Sequence, residues 1–359
     1  MKSSTTYMPQ LDAVRAFAAF AVVIHHFTGE FDFERFGIGA YGVELFFVIS
    51  GFLISKILIE QKNKIPDLET GLSRKKILGR FYIRRILRLF PVYYLFITFF
   101  FLLSKTSGIW VWDKGCAPWF YTYTANFLFF FKKMQGIQVN HLWTLAVEEQ
   151  FYLFWPLLLL FIPKRFEIHL ISIFIVIGLG FKIFMEIYFP TLPSRLLTVY
   201  HFDTLGCGAF LAWLSIYRKK IFDKIINPLW TLLLLVLWVF LAFNKTLIPY
   251  DIGVILWIIL TCIAFSMLVK SSANGISGIG GRIFNNGILQ YLGKISYGIY
   301  IFHKPIPYLM KLILSKSGLS FQINHYLLFL LAVILTLAIS SLSWIFLERP
   351  ISRFKEKFI

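Results

Sequence analysis

Ionisable side chains set into otherwise apolar runs are the part of this sequence that could do chemistry. The first run, LDAVRAFAAFAVVIHH (Leu11–His26), carries Asp12, Arg15, His25 and His26. At about 100° per residue, Arg15 and His26 lie about three turns and roughly 16 Å apart on nearly one helix face. Asp12, three residues before Arg15, can pair with it there, whereas His25 points away. The set fits either a proton-handling site or a helix pinned by an internal ion pair. Ionisable groups within a membrane helix are expensive, so each needs a partner or a task.

Carboxylates recur in the same manner. HLWTLAVEEQFYLFWP holds Glu148 and Glu149 between Trp143 and Tyr152. Being adjacent, the two lie on different faces, and at least one must turn to a polar interior. A carboxylate beside an imidazole can fix its tautomer and stabilise the imidazolium formed on proton abstraction. Glu44, near the start of GVELFFVISGFLIS, could orient His26 or sit at the interface. In the same run, Ser50-Gly51 reads as close helix packing, because no histidine nearby suggests a serine triad. His201 and Asp203 fall in YHFDTLGCGA, and Lys182 with Glu186 reads as a structural pair. His303 closes YLGKISYGIYIFHKP and reads as an interfacial histidine. Glu348-Arg349-Pro350 reads as an interface anchor. The run RFYIRRILRLFP brings Arg84, Arg85 and Arg88 to the mouth of the third span. Arg85 and Arg88 are one turn apart and could converge on a phosphate group. They could equally form a juxtamembrane belt, although the segment 56–88 holds ten lysines and arginines, more than orientation requires.

These residues need a frame, and composition says which. Of 359 residues, 58% are hydrophobic, 19% aromatic and 15% charged, with mean hydropathy +0.72. That excess of apolar surface belongs to an all-α polytopic membrane protein. Apolar runs near 11–28, 41–59, 89–103, 142–162, 168–187, 197–216, 228–243, 250–269, 295–314 and 325–347 predict about ten transmembrane helices. Trp119–Phe131 reads as an interfacial or re-entrant piece. With the N-terminus in the cytoplasm, Lys and Arg concentrate on the inner segments, so both termini are expected to be cytoplasmic. No removable signal peptide is read in Met1–Gln10. Residues 1–359 are expected to form a single transmembrane domain without a separate soluble one. The net charge of +18 points to anionic lipid or an anionic cofactor rather than nucleic acid. Cys116, Cys207 and Cys262 have neither disulfide nor metal spacing. Without a phosphate-cradling glycine loop, HExxH or CxxC, NTP-driven transport and metal hydrolysis lack support, and no metal is expected.

Taken in order, these elements resemble the acyltransferase-3 family of multi-pass acyl-CoA-dependent transferases. They are Arg15 and His26 with ten residues between, GVELFFVISGFL, Arg85-x-x-Arg88, HLWTLAVEEQFYLFWP, YLGKISYGIYIFHKP and FLERP, and together they span about Leu11 to Phe354. The resemblance implies ten core helices in a bacterial inner membrane. It implies transfer of an acyl group, usually acetyl, from cytoplasmic acetyl-CoA to a hydroxyl. The acceptor would be a surface glycan or lipid-linked saccharide, such as lipopolysaccharide O-antigen or an exopolysaccharide. On this reading His26 is the general base, Glu148 or Glu149 supports the imidazole, and Arg15, Arg84, Arg85 and Arg88 hold the CoA. Asp12, Glu44, Ser50, Trp143, Asp203 and His303 are supporting candidates. Direct transfer and an acyl-histidine intermediate both fit. Some relatives carry a periplasmic esterase-like domain, so this chain is expected to act alone or with a separate periplasmic transferase. The rival class is a proton-coupled transporter or flippase using the same buried groups as a relay, against which stands the lack of an inverted repeat. A structural scaffold would leave Glu148 and Glu149 unexplained.

Overall fold

A computed structural model describes residues 7–27, 37–65, 71–107, 115–132, 138–225, 228–244, 248–316 and 325–354. Every element among them is helical. The order is α1 (Pro9–Phe27), α2 (Ile38–Lys62), α3 (Gly71–Ser107), the short α4 (Ala117–Tyr121) and α5 (Ala125–Lys132), α6 (Trp143–Phe161) and α7 (Glu167–Tyr188). Then follow α8 (Phe202–Tyr217), α9 (Lys219–Lys224), α10 (Pro228–Phe243), α11 (Tyr250–Asn274), α12 (Gly278–Phe284), α13 (Gly287–Lys294), α14 (Ser296–Phe302), α15 (Pro305–Lys316), α16 (His325–Ser343) and α17 (Arg349–Phe354). A π-helical turn, Trp344–Glu348, joins the last two.

The middle of the bundle is α1 and α2. Alanine and valine (Ala13, Val14, Ala16, Ala18, Ala19, Val22, Val23) bury α1 nearly all round, the pattern of a core helix. Helix α2 crosses α8 backbone to backbone: a Cβ on Gly51 would stand 2.0 Å from the Leu205 carbonyl, and one on Gly208 would stand 2.1 Å from that of Val48. Small residues permit this approach. Gly51→Val is therefore expected to cost at least the upper end of the roughly 1–3 kcal/mol typical of overpacking, read as a lower unfolding midpoint in detergent. In the same way Gly293 brings α13 against the Asp12 carbonyl, which fixes the helix that bears Arg15. Around this middle, α7, α10 and α16 turn large apolar side chains outward, among them Val176, Phe184, Val236, Phe240, Leu330 and Ile334. Exposed apolar surface that extensive suits lipid, not water. Among the described residues, six helical stretches are long and apolar enough to cross a membrane: 38–62, 73–104, 140–161, 164–188, 250–274 and 326–354.

Several expectations are corrected by this architecture. The helix that carries the third apolar run begins at Gly71, well before Leu89: the basic segment is itself helical because Ile77, Leu78 and Phe81 pack it onto the core. The run 197–216 becomes α8 preceded by a 3-10 turn, Thr198–His201. The run 295–314 is divided between α14 and α15 by a break at His303–Lys304, just before Pro305. The residue preceding a proline is pushed out of the helical region, and proline itself is tolerated in a first turn. Separately, Trp119–Phe131 lies on the two short helices α4 and α5.

Candidate active site

Three cavities follow one another from one end of the bundle to the other. At the end where α1 begins, a cavity of about 630 Å³ is lined by Asp12 and Arg15 of α1, Lys56 of α2, Arg88 of α3, Lys294 of α13 and Glu348 of the π-helical turn. Its wall thus carries four cations. Arg15 and Arg88 also line a narrower cavity of about 70 Å³ deeper in, with Arg85, Ser50, Glu148, Tyr152, Thr144 and Tyr300. Val43 lines that slot and also a third cavity of about 470 Å³ at the opposite end.

The basic mouth is assembled by register. Asp12 pairs with Arg15 across one turn at 3.5 Å and accepts a bond from the Tyr7 hydroxyl at 2.6 Å. The Asp12–Arg15 pair is the one expected from their spacing, and the Tyr7 contact adds to it. Arg85 stacks over the Tyr152 ring, its guanidinium carbon 4.6 Å from the centroid, a cation–π contact that holds the side chain against the slot. Arg84 is not on either cavity wall. Arg85 and Arg88, one turn apart, line the slot together.

Of the two adjacent carboxylates, Glu148 faces the slot and Glu149, a further 100° round, does not. Ser50 Oγ donates to Glu148 Oε1 at 3.0 Å, and the Tyr152 hydroxyl donates to Ser50 Oγ at 3.1 Å. Ser50 is therefore a bridge between α2 and α6, while its neighbour Gly51 makes the close helix crossing. At the far end of the slot the Thr144 and Tyr300 hydroxyls are 2.5 Å apart.

His26 is not among the residues lining these three cavities. Its Nδ1 lies 2.9 Å from Nε2 of His303, whose Nδ1 lies 2.7 Å from the carbonyl oxygen of Tyr300, a residue of the slot wall. The partner of His26 is thus a histidine rather than Glu148, Glu149 or Glu44. His303, expected at the interface, is fully buried, because the break after α14 turns it inward. A third ring, His141, lies 5.0 Å from His303. It opens the HLWTLAVEEQ run and went unremarked in the sequence. Among the described residues no group of three or more His, Cys, Asp or Glu is arranged to hold a metal ion.

Glu44 belongs to a second buried cluster. Lys182 Nζ sits 3.0 Å from Glu44 Oε1 and 2.8 Å from Asp203 Oδ2. Thr204 Oγ1 donates to Glu44 Oε2 at 2.9 Å, and His201 Nδ1 is 3.3 Å from Oε1. Lys182 therefore does not pair with Glu186, which accepts from the Tyr200 hydroxyl instead. A buried ammonium between two carboxylates outweighs a pair within one helix. Trp143 stacks on His201, with centroids 5.7 Å apart. Glu44, Lys182, His201 and Trp143 all line the third cavity.

The helical bundle is thus entered by a cation-lined mouth that leads to a slot. The chain matches the family profile described as an acyltransferase domain over residues 8–345 and belongs to that acyltransferase-3 family. It is similar to the peptidoglycan O-acetyltransferase OatA of Listeria monocytogenes, 31% identical over 98% of this chain and 56% of the relative. It is similar also to a putative O-acetyltransferase of Staphylococcus aureus strain MSSA476, 31% identical over 96% of this chain and 57% of the relative. The O-acetyltransferase OatA of Staphylococcus aureus strain NCTC 8325 is 28% identical over 98% and 58%. The chain thus spans somewhat over half the length of these relatives. No solved structure matches.

Proposed function

We propose that this protein is a bacterial inner-membrane O-acyltransferase with about ten spans and cytoplasmic termini. It moves an acyl group, in the first instance acetyl, from cytoplasmic acetyl-CoA to a hydroxyl of a surface glycan or lipid-linked saccharide. The observation that carries the reading is the sharing of Arg15 and Arg88 between the basic mouth and the slot. A polyphosphate held in the mouth by Arg15, Lys56, Arg88 and Lys294 would leave the slim pantetheine arm to enter the slot. Guanidinium groups suit phosphate because their planar fork gives paired, charge-assisted bonds. Direct transfer from a thioester to a hydroxyl needs no metal.

The acceptor enters from the third cavity, whose wall offers Trp143, Tyr41 and Trp257 as flat faces beside Glu44 and Arg195. Its hydroxyl oxygen attacks the thioester carbonyl while His26 takes the proton; the carbon–sulfur bond breaks and the thiolate recovers that proton. Glu148 holds the slot wall in shape through Ser50. Peptidoglycan, named for the Listeria relative, stands beside lipopolysaccharide O-antigen and exopolysaccharide among the acceptors to test. A separate periplasmic transferase would serve if the acyl group is handed on.

The experiment is acetyl transfer from labelled acetyl-CoA to these glycans by purified protein in bilayer discs. Arg88→Ala is expected to raise the KM for acetyl-CoA about 10- to 100-fold, the scale of one lost charge-assisted contact, with kcat nearly unchanged. Wild type that transfers nothing to any of these glycans and does not hydrolyse acetyl-CoA speaks against the reading.

A further inference from the structure

We propose that His303 is a positioning residue that fixes His26 as the tautomer protonated on Nδ1, leaving the Nε2 lone pair as the base. The proposal rests on the reading of His26 as general base and deepens it. The Tyr300 carbonyl oxygen lies 2.7 Å from His303 Nδ1, and a carbonyl oxygen only accepts, so that nitrogen carries the hydrogen. A neutral His303 then has its lone pair on Nε2. That atom faces His26 Nδ1 at 2.9 Å, so His26 Nδ1 must be the donor. The lone pair of a neutral His26 is thereby left on Nε2, the edge of the ring turned away from His303.

Besides His303, the backbone of Val22, one turn back on α1, also bonds the His26 ring, and Ile299 joins Tyr300 in holding the His303 ring. His303 is 0% exposed. The neighbouring His141 ring turns its own Nε2 to the Ile301 carbonyl at 3.1 Å. Lys304, next in sequence, donates to Asn140 Oδ1. Phe27 closes another side, its ring centroid 6.3 Å from that of His303. The polarity of one helix carbonyl thus passes through two imidazoles, a task that a carboxylate performs in other acyl-transfer sites.

The step balances with the groups named. The acceptor oxygen bonds to the thioester carbon as its proton moves to His26 Nε2. The carbon–sulfur bond then breaks, and the thiolate takes that proton. While His26 is an imidazolium, its Nδ1–H stays bonded to His303 Nε2, and His303 itself undergoes no covalent change.

Histidine-selective ¹⁵N NMR on wild type in bilayer discs reads the tautomer directly, with His26→Ala assigning the signal. The expected result is His26 protonated on Nδ1. His303→Ala is expected to lower kcat about 10- to 100-fold, the scale of losing an orienting partner, with the KM for acetyl-CoA unchanged and the tautomer signal lost. His303→Gln should restore much of kcat, since the amide Oε1 can stand near the Nε2 position and accept. A wild-type His26 protonated on Nε2 overturns the proposal, as does His303→Gln that folds but is no better than His303→Ala. Full activity in His26→Ala would instead overturn the general-base reading itself. Should His303→Ala fail to fold, the wild-type spectrum and the glutamine variant still decide.

Discussion

His26→Ala is expected to lower acetyl transfer by about 10²- to 10⁴-fold, the contribution of a positioned general base. Binding of acetyl-CoA should be unchanged. The two readouts separate because the structure separates the groups. The four cations of the mouth belong to α1, α2, α3 and α13 at one end of the bundle, and His26 stands three turns along α1 from Arg15, bonded to His303. Truncating an imidazole there takes no contact from the mouth. Turnover is followed with labelled acetyl-CoA and a glycan acceptor, and binding by equilibrium titration of the same preparations. Loss of both together would place His26 in the donor site instead.

Lys182→Met should strike stability rather than chemistry. Lys182 is 5% exposed, Asp203 0% and Glu44 8%, and the ammonium lies within 3.0 Å of both carboxylates. Removing it leaves two buried anions uncompensated, and breaking a buried pair in this way costs about 3–5 kcal/mol. Against a total stability of roughly 5–15 kcal/mol, that is enough to lower both the unfolding midpoint and the yield of monodisperse protein. The triple variant Lys182→Met, Glu44→Gln, Asp203→Asn should recover much of the loss, because it removes the charges together. A single variant as stable as wild type would show that the cluster is not what ties α2, α7 and α8 together.

What could be read from sequence follows a physical division. Within one helix, phase is arithmetic, so the Asp12–Arg15 pair, the shared face of Arg85 and Arg88, and the divergence of Glu148 from Glu149 were all legible. Ser50-Gly51 was legible as close helix packing as well. Contacts between distant segments were not. Lys182 meets Glu44 across 138 positions, and no local pattern announces that this pairing displaces Glu186, four residues away. Lys294 joins the mouth where Gly293 lets α13 lie against the carbonyl of Asp12, and Lys56 joins it from α2. His303 was misplaced for a different reason. It follows an apolar run and precedes Lys304-Pro305, which resembles the end of a span; the proline instead breaks the helix inside the bundle and turns the ring toward His26. His141 had one usable signal, its place directly before the run that carries Glu148.

The central claim is that a cytoplasmic acyl-CoA is held in the basic mouth at Arg15 and Arg88. Equilibrium binding of radiolabelled acetyl-CoA to wild type and to the Arg15→Ala, Arg88→Ala double variant, both in bilayer discs, tests it most directly. Saturable binding by wild type is expected, with a loss of about 10²-fold or more in the double variant, two charge-assisted contacts being removed at once. Equal affinity in the two proteins would contradict it.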